Sequence, residues 1–345
     1  MKKILHIGAC DPILNSYIIF VKNNFKFSEH EFLLITDENK GPAEYNNIHI
    51  SSRAFFSRAK HYILLIIKIH KARKVILHGI SDPRLVLILF FMPWVLSKCH
   101  WVIWGGDLYS YKLSGNDYRR KLNEIFRRGV IKRFGYFITY IRGDYDLACK
   151  WYSAKGVLYE CFMYPSNLYQ EEPMQDTLHD GINILLGNSA DPSNNHMDVL
   201  DKLRPFAAEN IYIYCPLSYG DSEYAKKVTV CAKSIFGHKF IPLLDFMVFD
   251  DYMKILSKID IAVFNHKRQQ GMGNTISLLG MGKKVFMRDD VTPYAMFTEL
   301  GVKAYPISDL NLSLICKDIA TSNKRVVSQY FSKSKLKDQW ALICE

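Results

Sequence analysis

Short apolar runs of strand length alternate with longer stretches of helical spacing along nearly the whole chain, and the alternation stops once and restarts. KILHIG, HEFLLIT, KVILHG, WVIWG and GYFITY read as strands, separated by helical segments over 16–25, 55–70 and 118–134. After Tyr164-Pro165 comes SNLYQEEPMQDTLHDG, a polar stretch without periodicity. INILLGN, NIYIYCP, IDIAVFN and KKVFMR then resume as strands, with helices beginning near Asn195, Asp221, Phe249 and Asn274. Such alternation predicts parallel sheets covered by helices on both faces. The expected class is α/β: a first domain over 1–165, a linker over 166–181 and a second domain over 182–322. A helical segment over 323–345 is free to pack back on the first domain.

Length agrees, since 345 residues exceed what one hydrophobic core ordinarily serves. The net charge of +11 is unevenly placed. Residues 1–150 carry 24 Lys and Arg against 12 Asp and Glu, whereas the remainder carries 21 against 22. A one-sided basic surface faces something acidic (nucleic acid, anionic lipid or a phosphorylated substrate) or simply solvent. No nucleic-acid-binding module is recognisable in the basic half, so nucleic acid is not an expected partner. Eight scattered cysteines without a C-x-x-C pair fit a reducing compartment, not a disulfide framework or structural metal. MKKILHIGACD lacks the uninterrupted apolar core of a signal peptide. The most apolar run, Leu85–Leu96, is 12 residues long and contains Pro93, short of the roughly 20 that a membrane span needs. It is expected as a buried or interfacial helix.

Three stretches point to chemistry. In LLGNSADPSNNH (185–196) an apolar strand runs into Gly187, Asn188 and Ser189 before a helix. Small residues there expose backbone N–H groups that suit a phosphate, or else make a tight capped turn. In FNHKRQQGMGNTISLLGMGKKV (264–285), Lys267, Arg268, Gln269 and Gln270 precede Gly271-x-Gly273, and a helix opens through Asn274. Amides, helix dipole and guanidinium would converge there as a diphosphate requires; the alternative is a plain strand–helix connection. The run matches neither the G-x-G-x-x-G fingerprint nor the P-loop. In WVIWGGDLYSYKL (101–113), Asp107 follows two glycines, and Trp104 and Tyr109 flank it. Desolvation there would raise its pKa toward that of a useful general base, unless it caps the following turn.

Asp107 is expected at the carboxyl edge of the first sheet, and Asp11, His78 and Asp144 share that edge, each of them reading also as a structural turn residue; Arg142 could hold an acidic group or pair with Asp144 or Asp146. Tyr118–Phe134 reads as an amphipathic helix. Its apolar side is Leu122, Ile125, Phe126, Val130 and Ile131; Arg119, Arg120, Lys121, Arg127, Arg128, Lys132 and Arg133 crowd the rest. Such a helix suits an anionic membrane surface or a lipid diphosphate, and an ordinary packed helix with a solvated face would read the same way.

HIGACD, ILHGISDPRL, WVIWGGDLY, RGD, LLGNSADPSNNH and FDDYMKILSKIDIAVFNHKRQQGMGN, in this order, resemble the TDP-Fuc4NAc:lipid II Fuc4NAc transferases, glycosyltransferase family 56. WGGDLY and RQQGMGN are the specific segments. The resemblance implies the GT-B fold, two Rossmann-like domains facing across a cleft. It also implies a TDP-sugar donor carrying Fuc4NAc, an undecaprenyl-diphosphate-linked acceptor, and a role in enterobacterial common antigen or O-antigen synthesis. The enzyme would sit peripherally on the cytoplasmic face of the inner membrane. No cofactor or metal is implied. By analogy with GT-B enzymes the donor would lie on Gly187, Asn188, Ser189, Tyr219, Gln269, Gln270, Gly271, Gly273 and Asn274, and the acceptor on Asp11, His78, Trp104 and Arg142. Asp107 and Arg268 are the expected catalytic pair: the first as base, the second on the leaving diphosphate. A transferase using another nucleotide deoxy-sugar, or a nucleotide-sugar epimerase, is the alternative.

Overall fold

The computed structural model describes residues 3–36, 46–52, 54–113, 118–171 and 179–345. The chain divides into two compact units, Met1–Asn167 with Lys333–Glu345, and Leu168–Ser332. The expected linker therefore begins beside the division, and its middle, 172–178, lies outside the described residues.

Unit 1 runs β1 (Ile4–Ala9), α1 (Pro12–Asn24), β2 (His30–Thr36), β3 (Ile48–Ser52), α2 (Phe55–Lys71), β4 (Lys74–His78), α3 (Pro83–Phe90), β5 (Cys99–Val102), α4 (Gly105–Leu113), α5 (Tyr118–Ile131), β6 (Tyr136–Ile138), α6 (Arg142–Tyr152) and β7 (Val157–Tyr159). Unit 2 runs β8 (Ile182–Leu186), α7 (His196–Leu203), β9 (Ile211–Pro216), α8 (Ser222–Phe236), β10 (Phe240–Leu243), α9 (Phe249–Ser257), β11 (Ile261–Phe264), α10 (Met272–Gly280), β12 (Lys284–Met287), α11 (Thr292–Glu299), β13 (Tyr305–Pro306) and α12 (Lys317–Tyr330). The last helix, α13 (Lys333–Cys344), returns to unit 1.

The described strands form two sheets, ordered β3-β2-β1-β4-β5-β6-β7 and β10-β9-β8-β11-β12-β13, with every pairing parallel. Central strands such as β1, β4, β8 and β11 are buried on both faces, which is why they read as continuous Ile/Leu/Val runs. In each sheet the winding reverses beside the first strand, between β1 and β4 and between β8 and β11. Loops leaving those two strands diverge to opposite faces, opening a crevice at their carboxyl ends where ligands of doubly wound sheets bind. Asp11 and Asp82 each cap a helix that begins with proline, and Asp221 caps α8.

Four expectations need correction. The strand expected at WVIWG is Cys99–Val102, and GGDLYSYKL is helix α4, because its glycines and polar residues do not fit a doubly buried strand. Strands β3, β7, β10 and β13 went unread: each has two to five residues, and none is buried along its whole length. The expected break at 323 falls inside α12, and the chain re-enters unit 1 at Lys333. Trp340 anchors that return, fully buried against Tyr17 with its indole donating to the Met163 carbonyl at 2.8 Å. Leu85–Leu96 is not one helix: it divides between α3 and a 3₁₀ turn that starts at Pro93. Among the described residues no helix is long and apolar enough to cross a membrane.

Candidate active site

In unit 2 the chain leaves β8 at Gly187, whose φ is +68°. A Cβ there would lie 2.5 Å from His196 Nε2 and 2.8 Å from Asn194 Oδ1, so only glycine allows the turn. The turn is fastened from within: Asn188 N donates to Asn194 Oδ1 at 2.9 Å, and Ser193 N to Asp191 Oδ1 at 2.8 Å. The loop leaving β11 ends at Gly271, the N-cap of α10, with φ +63° and no side-chain cap. A Cβ on Gly271 would stand 3.0 Å from Asn188 Cγ and from His266 Cε1.

The two turns interlock. Gln270 Nε2 donates to Asn188 Oδ1 at 3.1 Å and to Ser189 Oγ at 3.2 Å, while Ser193 Oγ donates to Gln270 Oε1 at 2.6 Å. Asn188 Nδ2 donates to the Tyr219 hydroxyl at 2.9 Å. Arg268 donates to Asp191 Oδ2 at 3.1 Å and to the Gln269 carbonyl at 3.2 Å. Burial works against ionising Asp191, but hydrogen bonds from Ser193 and Arg268 outweigh it and hold its carboxyl below the usual range. His266 Nδ1 lies 3.1 Å from the Gln270 carbonyl, which can only accept, so Nδ1 carries the proton. Burial pushes the His266 pKa down to about 3, keeping the ring neutral.

Six expected donor-site residues, Asn188, Ser189, Tyr219, Gln269, Gln270 and Gly271, thus come together with the expected catalytic Arg268 at the switch point of the second sheet. Gly187 shapes the turn that carries them. Gly273 lies in the first turn of α10, and Asn274 points its amide to Tyr252 of α9 at 2.8 Å. An uncapped helix N-terminus, a small-residue turn and a guanidinium side by side form a place where a diphosphate's charge is favoured.

Unit 1 departs from expectation at its two most prominent positions. Asp107 does not stand open at the sheet edge. It is 2% exposed in the first turn of α4, and both its oxygens are engaged. Oδ2 accepts from Trp101 Nε1 at 2.7 Å and Ile80 N at 3.0 Å, and Oδ1 from Leu108 N at 2.8 Å. Burial does raise its pKa, to about 6, against the pull of Arg127 and these donors. A base, however, needs an open lone pair facing its substrate, and this carboxylate instead ties β5, the loop after β4 and α4 together. His78 is also not a free contact for an acceptor. Its Nε2 is 3.1 Å from His6 Nδ1 and its Nδ1 is 2.7 Å from the Tyr164 hydroxyl.

The other expected acceptor residues are more open. Asp11 is partly exposed after β1, capping α1 through Leu14 N at 2.7 Å. Trp104 is partly exposed, its indole donating to the Tyr164 hydroxyl at 2.9 Å. Arg142 is exposed at the start of α6. Arg127, expected on the polar side of α5, is buried and donates to the carbonyls of Ile80 at 2.8 Å and Asp107 at 2.6 Å. Six other basic residues within 15 positions hid it, and Tyr164 was hidden as a boundary residue.

Two parallel-sheet units wound in this order, with a glycine-turn network at the switch point of the second, define a glycosyltransferase of the GT-B type. The model of the family described as 4-alpha-L-fucosyltransferase, glycosyl transferase group 56, matches residues 1–304, and the chain belongs to that family. Solved structures agree on the fold. HepE from Anabaena, in complex with UDP and glucose, superposes with a TM-score of 0.69 at 11% identity, over 99% of this chain and 99% of that one. An α,α-trehalose 6-phosphate synthase from Burkholderia multivorans gives 0.65 at 8% identity, over 99% and 98%. WaaG, a glycosyltransferase involved in lipopolysaccharide biosynthesis, gives 0.59 at 11% identity, over 98% and 93%.

Proposed function

We propose that this enzyme transfers Fuc4NAc from a TDP-linked donor to an undecaprenyl-diphosphate-linked glycan in surface polysaccharide synthesis. The observation that carries the reading is the interlocked pair of turns at Asn188–Ser189 and Gln270–Gly271. Family membership supports glycosyl transfer, and HepE, which shares the fold, was solved with UDP and glucose. The donor diphosphate lies on the amides of Gly187–Ser189 and Gly271–Gly273, with Arg268 alongside. As the bond from the anomeric carbon to the diphosphate breaks, negative charge grows on the leaving oxygen, where these groups stabilise it. Transfer then needs no metal, since amide dipoles and a cation take that role. Asp11, Trp104 and Arg142 contact the acceptor at the carboxyl edge of the first sheet.

A lipid-linked acceptor calls for a membrane-facing surface, and unit 1 has a suitable one. Phe56, Ile63 and Ile67 of α2, Leu87 of α3 and Phe91 just after it, Trp94, and Leu122 and Ile125 of α5 are all exposed. Trp94 donates to His70 of α2 at 3.0 Å, and Phe90 of α3 packs on Phe126 of α5 at 5.0 Å, so these helices adjoin. Lys60, Arg84, Arg120, Lys121, Arg128 and Lys132 lie exposed among them. Apolar side chains amid cations fit the peripheral cytoplasmic leaflet of an inner membrane.

Thermal-shift measurement against TDP, UDP and GDP tests the donor. TDP should raise the midpoint most, because a ligand that binds only the folded state stabilises it. A shift with UDP or GDP and none with TDP would refute the donor assignment.

A further inference from the structure

With Asp107 enclosed, the acceptor's hydroxyl proton needs another destination. The loops and helices after β1, β4, β5 and β6 each bring a carboxylate to the carboxyl edge of the first sheet: Asp11, Asp82, Asp107 and Asp144. They differ in what their oxygens do. Asp82 Oδ1 caps α3 by accepting from Arg84 N at 3.0 Å, and its Oδ2 accepts from the Tyr62 hydroxyl. Asp107 gives both oxygens to Trp101, Ile80 and Leu108. Asp144 is fully buried in the first turn of α6, with Oδ1 3.4 Å from the Tyr109 hydroxyl. None of these three turns an open lone pair toward a substrate.

Asp11 does. It follows β1, beside which the winding of the sheet reverses, so it stands at the crevice where doubly wound sheets take their ligands. Oδ1 accepts from Leu14 N at 2.7 Å, and the Ile13 amide adds a weaker pull. Among the described residues Oδ2 has no hydrogen-bond partner, yet it is not sealed from solvent, and the side chain is partly exposed. No cation among the described residues pairs with it. Burial raises its pKa against the two amides, and a stronger base takes a hydroxyl proton more readily. The neighbourhood is otherwise neutral. Burial raises the Tyr164 pKa, and the nearby charges of Asp11 and Asp107 raise it further. The partly exposed Trp104 indole, held by its bond to the Tyr164 oxygen at 2.9 Å, offers a sugar ring an apolar wall in the same crevice.

We propose that Asp11 is the general base of the transfer, its Oδ2 taking the acceptor's hydroxyl proton, an inference that rests on the glycosyl-transfer reading above. As the proton passes to Oδ2, the acceptor oxygen bonds to the anomeric carbon. The bond from that carbon to the diphosphate oxygen breaks, and its electron pair leaves with the diphosphate. Protonated Asp11 then returns its proton to water through the open crevice. Capping and catalysis do not compete, because the two oxygens divide the work: Oδ1 fastens the start of α1, and that bond orients Oδ2.

Asp11→Asn tests this, because asparagine caps a helix as well as aspartate does and its amide oxygen can still accept from Leu14 N. With the TDP-sugar and lipid-linked acceptor, the single-turnover rate should fall roughly 100-fold. Acceptor KM, and TDP affinity by calorimetry, should each change by less than about twofold. A wild-type rate in the variant overturns the proposal and leaves the proton to the departing diphosphate. A loss that lies in acceptor KM with the rate intact also overturns it, making Asp11 a binding contact only. Should Asp11→Asn not fold by circular dichroism, Asp11→Ser, which also caps a helix, carries the same expectation. A folded wild type that transfers no sugar overturns the functional reading, and the proposal falls with it; an active variant beside an active wild type overturns the proposal alone.

Discussion

Gln270 donates its side-chain amide to Ser189 Oγ at 3.2 Å, joining two turns that are 81 residues apart in sequence. The same nitrogen reaches Asn188, and the amide oxygen accepts from Ser193. One side chain thus holds the β8 turn and the β11 turn in register. Gln270→Ala should cost about 1–3 kcal/mol of stability, given a net value near 1 kcal/mol for each lost hydrogen bond. It should also weaken TDP binding more than it weakens folding. Titration calorimetry giving unchanged TDP affinity would remove Gln270 from the donor site.

Asp107→Asn separates an anchor from a base. The amide oxygen can still accept from Trp101 and Ile80, but its NH2 would then face the Leu108 N–H. A stability loss of about 1–3 kcal/mol is expected, with the folded fraction still turning over. Abolished transfer at wild-type stability would restore the catalytic role.

Arg268→Ala should lower kcat/KM by about 2–4 kcal/mol, the scale of a lost charge-stabilising donor. Arg268→Lys should recover only part, since an ammonium keeps the charge but not the fork that spans Asp191 and the Gln269 carbonyl. Turnover of the alanine variant near the wild-type level would discard the diphosphate role.

Acid should destabilise the enzyme above the range in which ordinary carboxylates titrate. Burial holds His30 and His100 at about 4 and His78 at about 3, below the ordinary value near 6.5. Between those values the unfolded chain binds protons that the folded one refuses, so stability falls as pH drops. Each such histidine contributes a loss of about 2 kcal/mol by pH 5. Asp107 has the opposite sign: its folded pKa near 6 lies above the unfolded one, so acid relieves its buried charge. One carboxyl gains about 1.4 kcal/mol at pH 5 and does not offset several histidines. Urea midpoints at pH 7 and pH 5 measure the balance, and an equal or higher midpoint at pH 5 contradicts it.

Vesicle co-sedimentation tests the apolar face. Phe56 and Trp94 are 85% and 64% exposed and Ile125 is 62% exposed, so glutamates there should leave folding untouched. Binding to anionic vesicles should drop sharply, and binding of the wild type should weaken with salt. Equal binding by the triple variant would clear this face of a membrane role.

Much of the site was legible because its signals are local. A doubly buried parallel strand has to be a continuous apolar run, and a turn with positive φ under crowding has to be glycine, so β8, β11, Gly187 and Gly271 announce themselves. The family segments WGGDLY and RQQGMGN are likewise contiguous. What the sequence by itself determined is therefore the α/β class, the central strands and the two glycine turns. Tertiary structure alone decided which way side chains face. Asp107 reads as an edge carboxylate until Trp101 and the Ile80 amide are seen to enclose it. Arg127 is one cation among seven until it is found buried under the Ile80 and Asp107 carbonyls. His6, His30 and His78 are scattered over 73 positions, and only strand order and register bring their rings within hydrogen-bond distance. Hydrogen bonds reach about 3 Å, whereas their partners can lie anywhere along the chain, so their pairing is settled by the packing of the sheet and by nothing local.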